Sequence, residues 1–204
     1  MVRLIKPTYF PPISHWKHIL SRNILWDIKS SYNKQTLTNR TYIDSPNGEL
    51  MLSIPIKHSG NIGPRAYSEV KIDYSFNWKK NHFKSIKISY QSSPYFEFYE
   101  ADLVNLYQSN FEYLYRFNLA SINLISKWME ETIDEKKINL NDFNNGEIDD
   151  LTFLSKTKRT KNKIKKKYTQ TFELKNGFIN DLSVSNILSL FLKCIKSPVL
   201  VYIF

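Results

Sequence analysis

"RLIKPTYFPPISHWKHILSRNILWDI", residues 3–28, carries the reading of the fold. Its first part, residues 3–10, is apolar and β-rich and runs into Pro11-Pro12, a strand closed by a turn. Residues 13–22 place Ile13, Trp16, Ile19 and Leu20 at helical spacing. "NILWDI", residues 23–28, is a short apolar run with the length of a buried strand. Strand, helix and strand in that order make a βαβ unit, and so a partly parallel sheet. The expected class is α/β: a mixed β-sheet that starts with a βαβ unit, flanked by helices, in a single domain over residues 1–204.

Outward from this unit the pattern turns antiparallel. "RTYI", then "DSPNG", then "ELMLSIPI" (49–56) is a hairpin with a Pro-Asn-Gly tip. Residues 58–69 form a loop holding Gly60 and Gly63, and "VKIDYS" (70–75) alternates as a strand. Residues 78–91 put Trp78, His82 or Phe83, Ile86 and Tyr90 near one helical face. A second helix restarts after Pro94, with Ser92 or Ser93 as its cap. A long amphipathic helix over 110–133 carries Phe111, Leu114, Tyr115, Asn118, Leu119, Ile122, Ile125 and Met129. Residues 134–167 shift to an acidic, turn-rich stretch and then the lysine run "KTKRTKNKIKKK", a flexible or inserted segment. Globular character returns at 168, with a helix start at Asp181 or Ser183.

Composition excludes several classes. Hydrophobic residues make up 42% of the 204 residues, enough for a core without disulfides or metal. Cys194 is the single cysteine and lies in an apolar run, so neither a disulfide framework nor a Cys-rich zinc site is available, and an inert core thiol is expected. The formal net charge is +10, but only six of the 29 basic residues are arginine. A lysine-, asparagine- and isoleucine-rich chain is what A+T-rich coding produces without selection for charge. Base readout leans on the arginine fork, so nucleic acid is disfavoured as a partner. No window supplies the ~20 apolar residues of a membrane span. With no secretory signal pattern at the start, a cytoplasmic location is expected.

The glycines supply no phosphate loop of the GxxxxGK or GxGxxG kind, and there is no CxxC or HExxH. His15 and His18 lie three apart, but Trp16 and its neighbours make them one face of a helix rather than a metal pair. What remains is polar chemistry where strands end. In α/β folds ligands bind outside the carboxyl ends of the strands. The first strand ends at Thr8, Tyr9 and Phe10 and the second near Asp27, followed directly by "SSYNKQTLTNRTYI", residues 30–43. Lys34 and Arg40 can neutralise an anionic ligand, while Gln35 and Asn39 orient it through their amides. His82 is a candidate general base because an imidazole titrates near neutrality. A plainer account pairs Arg40 with Asp27 or Glu49 and leaves His82 half-buried beside Trp78. Residue by residue that account is favoured.

Five blocks in register nevertheless resemble the WbqC-like proteins. They are "PTYFPPISHW", "YNKQTLTNRTYI", "NGELMLSIPIKH", "NWKKNHFKSIKISYQSSPYFEFYEADL" and, late in the chain, "FINDLSVSNILSLF". The likeness covers about residues 5–125 and resumes near 168. It places site positions on Tyr32, Lys34, Gln35, Thr36, Asn39 and Arg40, on Trp78 and His82, and on Ser93 through Phe96 with Tyr95 as a ligand contact. An acidic position falls on Asp27. Ser30, Ser31, Thr38 and Asn186 depart from the family pattern, so chemistry at those positions would differ.

Such genes occur in O-antigen and other surface-polysaccharide loci. The resemblance therefore implies a cytoplasmic enzyme or accessory protein that takes a nucleotide sugar or acyl donor. His82 and Asp27 would be catalytic, and Tyr9, Tyr32, Lys34, Gln35, Asn39, Arg40, Trp78 and Tyr95 would bind ligand. It names no cofactor or metal. The alternative is a non-catalytic scaffold for envelope assembly.

Overall fold

A computed structural model describes residues 2–21, 23–58, 60, 63–93, 96–133, 148–156 and 170–182. Tyr95, Asn186, Cys194, the lysine run beyond Lys156 and the helix expected from 183 lie outside the described residues.

The opening stretch folds as the βαβ unit its pattern implies. Strand β1 (Val2–Ile5) is followed by helix α1 (Ile13–Ile19) and strand β2 (Ile24–Trp26). β2 pairs parallel to β1, with Arg3 opposite Ile24 and Ile5 opposite Trp26. The first strand is shorter than residues 3–10 because Pro7 has no N–H to continue a ladder. Lys6 to Phe10 instead form an irregular segment leaving the carboxyl end of β1. α1 begins at Pro12, whose side chain cannot cap. Its first N–H groups are met from late in the chain: Leu182 O accepts from Ile13 N at 3.2 Å, and the Asp181 carboxylate accepts from Ser14 N at 3.0 Å and Ser14 Oγ at 2.8 Å.

The hairpin forms as expected. Strands β3 (Arg40–Ser45) and β4 (Gly48–Ser53) pair antiparallel from Arg40 opposite Ser53 to Ser45 opposite Gly48. Gly48 takes φ +96°, a conformation that side chains rarely adopt, which is why glycine closes this turn. Among the described residues β3–β4 forms a sheet of its own, separate from the parallel one, rather than part of one mixed sheet.

Three helices follow. α2 (Trp78–Tyr90) packs on β3 and on α3 (Phe96–Gln108), and α4 (Leu114–Trp128) packs on α3 and on a 3₁₀ turn at Tyr67–Glu69. The expected strand at 70–75 shrinks to isolated bridges, Ile56 to Ile72 and Lys71 to Tyr113. Those contacts explain why the last long helix starts at 114 and not at 110. Ile72 N donates to Glu112 O and Leu114 N to Val70 O, which holds residues 111–113 extended. The expected cap at Ser93 does not form with its side chain. The Phe96 N–H meets the Ser93 carbonyl, and the Ser93 hydroxyl has no partner among the described residues.

Within 134–167, residues 148–156 are described. Strand β5 (Ile148–Asp150) pairs parallel to the far side of β1, giving the order β2-β1-β5, and a 3₁₀ turn follows at Thr152–Ser155. A short helix α5 (Glu173–Asn176) lies against the hairpin through Asn176 and Lys175. The class is α/β. Buried residues of β1 to β4 and α1 to α4, from Ile5 and Trp16 to Phe117 and Ile125, join one core. Among the described residues no helix is long and apolar enough to cross a membrane.

Candidate functional site

The carboxyl ends of β1 and β2 lie side by side, because Asp27 N donates to Ile5 O at 2.8 Å. One charged residue leaves each end. Lys6 and Asp27 are both buried and stand 3.7 Å apart. Asp27 also accepts the Ser30 N–H at 2.9 Å and the Ser30 hydroxyl, while Lys6 Nζ donates to Ser31 O at 3.0 Å and sits 6.0 Å from the Tyr67 ring. The pair thus fixes the start of residues 30–43. The same stretch is held from the other side: Tyr67 N donates to Ser30 O, Ser68 N to Ile28 O and Tyr32 N to Arg65 O.

These bonds bring Tyr32, Arg65 and Tyr67 together. Tyr32 stacks on Tyr67 at 6.1 Å, and the Arg65 guanidinium lies 6.0 Å from the Tyr32 ring. Burial pushes the Tyr32 phenol up to about 12, with Thr38, Arg65 and Arg40 pulling the other way. Its hydroxyl is buried beside Thr38 yet has no well-formed partner among the described residues. The same holds for Arg40 Nε and Asn39 Oδ1. A buried polar atom without a partner is costly, so native proteins keep few of them. Arg40 pairs with neither Asp27 nor Glu49, and among the described residues it makes no ion pair.

Asn39 closes the turn before β3. Its N–H meets Thr36 O, its carbonyl accepts from Ile54 N at 2.8 Å, and its Nδ2 reaches Ile54 O at 3.3 Å. Lys34 and Gln35 stand at the tip of that turn, exposed, with Gln35 at φ 61°.

Asn118, on the buried face of α4, ties the two segments to each other. Its Nδ2 lies 2.7 Å from Thr38 O, 3.3 Å from Pro7 O and 2.6 Å from the Tyr67 hydroxyl, which itself donates to Pro7 O at 2.8 Å. Asn118→Ala is expected to cost about 2–3 kcal/mol, from orphaned carbonyls and a small cavity. Urea denaturation measures it, and a cost under about 1 kcal/mol would show that the segments do not depend on this amide.

The other end of the Lys6–Phe10 segment enters the core. Tyr9 Oη lies 2.9 Å from His82 Nδ1 and 2.6 Å from the Tyr107 hydroxyl, and Trp78 meets His82 edge-on at 5.2 Å. Burial lowers His82 to about 4, with the Ser53 backbone carbonyl opposing. The imidazole is therefore neutral at pH 7. With Nδ1 accepting from Tyr9, its proton sits on Nε2. Burial raises both phenols, Tyr9 further through Tyr107. This is a phenol–imidazole chain whose members are all buried.

The expected site residues thus divide. Tyr9, Trp78 and His82 come together in the core. Asp27 lies at the carboxyl end of β2 with Tyr32 shortly after it, Arg40 acts on the Tyr32 phenol, Asn39 is bonded to Ile54, and Lys34 and Gln35 are exposed. The sequence pattern does not single out Lys6, Arg65, Tyr67, Tyr107 or Asn118 as site residues. Two of them do leave a mark in it: Asn118 is an amide on an otherwise apolar helix face, and Arg65 is one of few arginines.

Among the described residues no group of three or more His, Cys, Asp or Glu is placed to hold a metal ion. Comparison with curated proteins and with solved structures gives no match. A protein-family model described as "WbqC-like protein family" matches residues 6–161, which takes in α1, β2, residues 30–43, the hairpin, α2 to α4 and β5. The chain belongs to the WbqC-like family.

Proposed function

We propose that this chain acts in cytoplasmic surface-polysaccharide biosynthesis of the O-antigen type. It would bind an anionic donor, a nucleotide sugar or an acyl donor, at the carboxyl ends of β1 and β2. The observation that carries this reading is the buried Arg40 Nε, which has no hydrogen-bond partner among the described residues and lies close enough to Tyr32, itself beside Arg65, to oppose the burial that raises its phenol. An incoming anion would satisfy the arginine and phenol hydrogens. Lys6 cannot serve the same way because Asp27 already neutralises it. Lys34 and Gln35, exposed at the rim, would meet the outer part of the ligand.

In this reading His82 and Asp27 are positioning residues. The hydrogen bonds of Asp27 are committed to Ser30, and it faces Lys6. His82 holds Tyr9 in place, with Trp78 packed on its edge, and so fixes the segment that starts at Lys6.

A thermal-shift screen against nucleotide sugars, acyl-CoA thioesters and free nucleotides tests the proposal. A ligand at 100 times its dissociation constant adds about 2.7 kcal/mol of apparent stability. Stabilisation of the parent that Arg40→Ala loses, at unchanged stability without ligand, is the expected result. Silence across the panel would favour the scaffold reading and send the search to protein partners.

A further inference from the structure

A row of tyrosines leads away from Arg65 and Tyr32. Tyr67 lies beneath Tyr32 and meets Tyr115 edge-on at 6.5 Å, and Tyr115 stands 6.2 Å from Tyr113. Each ring carries a cation. Arg65 and Lys6 lie 6.0 Å from Tyr32 and Tyr67, Arg116 lies 5.7 Å from Tyr115, and Lys71 lies 5.5 Å from Tyr113. Arg116 Nε also donates to the Tyr115 hydroxyl at 3.1 Å. Of the five such pairs among the described residues, four fall on this row. Significant cation–π contacts occur about once per 70–80 residues, so this density on one face is unusual.

The row is also where the chain places its arginines. Of the four described, Arg3 pairs with Asp149, while Arg40, Arg65 and Arg116 border this row with no carboxylate within ion-pair distance among the described residues. In a chain where lysine far outnumbers arginine, two of the four described arginines lie over rings of this row. Tyr32, Tyr113 and Tyr115 all remain partly exposed. A sugar ring would require acceptors for its hydroxyls, yet Glu112, next to the row, is committed to Lys71 at 2.6 Å. A flat aromatic base needs only ring faces and guanidinium planes.

We propose that the row is the nucleoside arm of this site. The ligand class is a nucleoside diphosphate, with its phosphates at Arg40 and Arg65 and its base stacked at Tyr115 and Tyr113 beside Arg116. The inference rests on the anion site proposed above and adds the base-binding half. A nucleotide sugar and a coenzyme A thioester share this chemistry.

Titration calorimetry on the full chain with UDP, GDP, ADP, coenzyme A and inorganic pyrophosphate tests it. Nucleoside diphosphates should bind about tenfold tighter than pyrophosphate, the effect of one base–aromatic stack. Tyr115→Leu and the exposed-side-chain variant Arg116→Ala should each erase most of that advantage while leaving pyrophosphate affinity unchanged, which also certifies the fold. Preference for coenzyme A over ADP would name an acyl donor as the source, and preference for UDP or GDP a nucleotide sugar. Pyrophosphate binding as tightly as every nucleotide, or a ratio untouched by both variants, overturns the nucleoside arm and leaves the anion site standing. Absence of all binding, or affinities indifferent to Arg40→Ala, overturns the anion site itself.

Discussion

Asp27→Ala is expected to remove about 3–5 kcal/mol of folding stability, because it strands a buried cation. Lys6 Nζ would keep only the Ser31 carbonyl at 3.0 Å and the edge of its contact with the Tyr67 ring at 6.0 Å. The same change frees the Ser30 N–H and hydroxyl, which Asp27 now accepts. Residues 28–32 would then lose the anchor that sets Tyr32 against Arg65. The double replacement Lys6→Met with Asp27→Leu should recover much of the loss, since two apolar side chains in place of a buried pair leave no charge to solvate. Urea denaturation of the parent, both single variants and the double variant closes the cycle. Costs that simply add, or a single-variant cost under about 1 kcal/mol, would mean that solvent screens the pair. A double variant that folds well but no longer binds the donor would show that the pair matters to the site through the placement of Tyr32.

The parts of this fold that can be read from the chain are those whose local pattern is also their tertiary pattern. Ile13, Trp16 and Ile19 face the core at the spacing that predicts α1, and Pro46-Asn47-Gly48 closes the hairpin it signals. The parts that cannot be read are decided by distant partners. Ile148–Asp150, "IDD", has no apolar run or alternation. It is a strand only because β1 offers a free edge. "VKIDYS" alternates well but bridges only to Ile56 and Tyr113, so its ladder stops at isolated pairs. The candidate site follows the same logic. Strand ends point to Tyr9, Asp27 and residues 30–43 from pattern alone, because the position of a ligand in an α/β fold is a matter of topology. Pattern does not show that His82 sits in the core beneath Tyr9, since Trp78 and His82 are equally compatible with a wall of a cleft. Nor does it find Asn118, whose role depends on two carbonyls that approach from residues 7 and 38.

Acidification from pH 6.5 to 4 is expected to destabilise the protein steeply, with two buried histidines as the main cause. Burial lowers His82 to about 4, and burial together with the His18 charge lowers His15 to about 3, with the Leu154 backbone opposing. In the unfolded chain both titrate near 6.5. Below that value the unfolded state binds protons that the folded state refuses, so stability falls as pH falls. The loss ends only below the folded values. Each histidine contributes about 1.4 kcal/mol per pH unit within its window, so His82 alone accounts for about 3 kcal/mol by pH 4. Asp44 acts in the opposite direction near the foot of the window, because burial raises its carboxyl and the folded state takes up that proton first. Urea midpoints at pH 7, 6, 5 and 4 should show the fall. His82→Gln keeps a carbonyl to accept from Tyr9 and an amide to donate to Ser53, but it cannot titrate. Its profile should flatten by about one proton relative to the parent, whatever its stability at pH 7. A profile parallel to the parent's would mean that His82 is protonated as readily folded as unfolded, and the buried phenol–imidazole chain would then have to be open to water. If the profile flattens while donor binding at pH 7 is unchanged, His82 acts by holding Tyr9 and not by moving a proton, and any general base must be sought among the residues that line the strand ends.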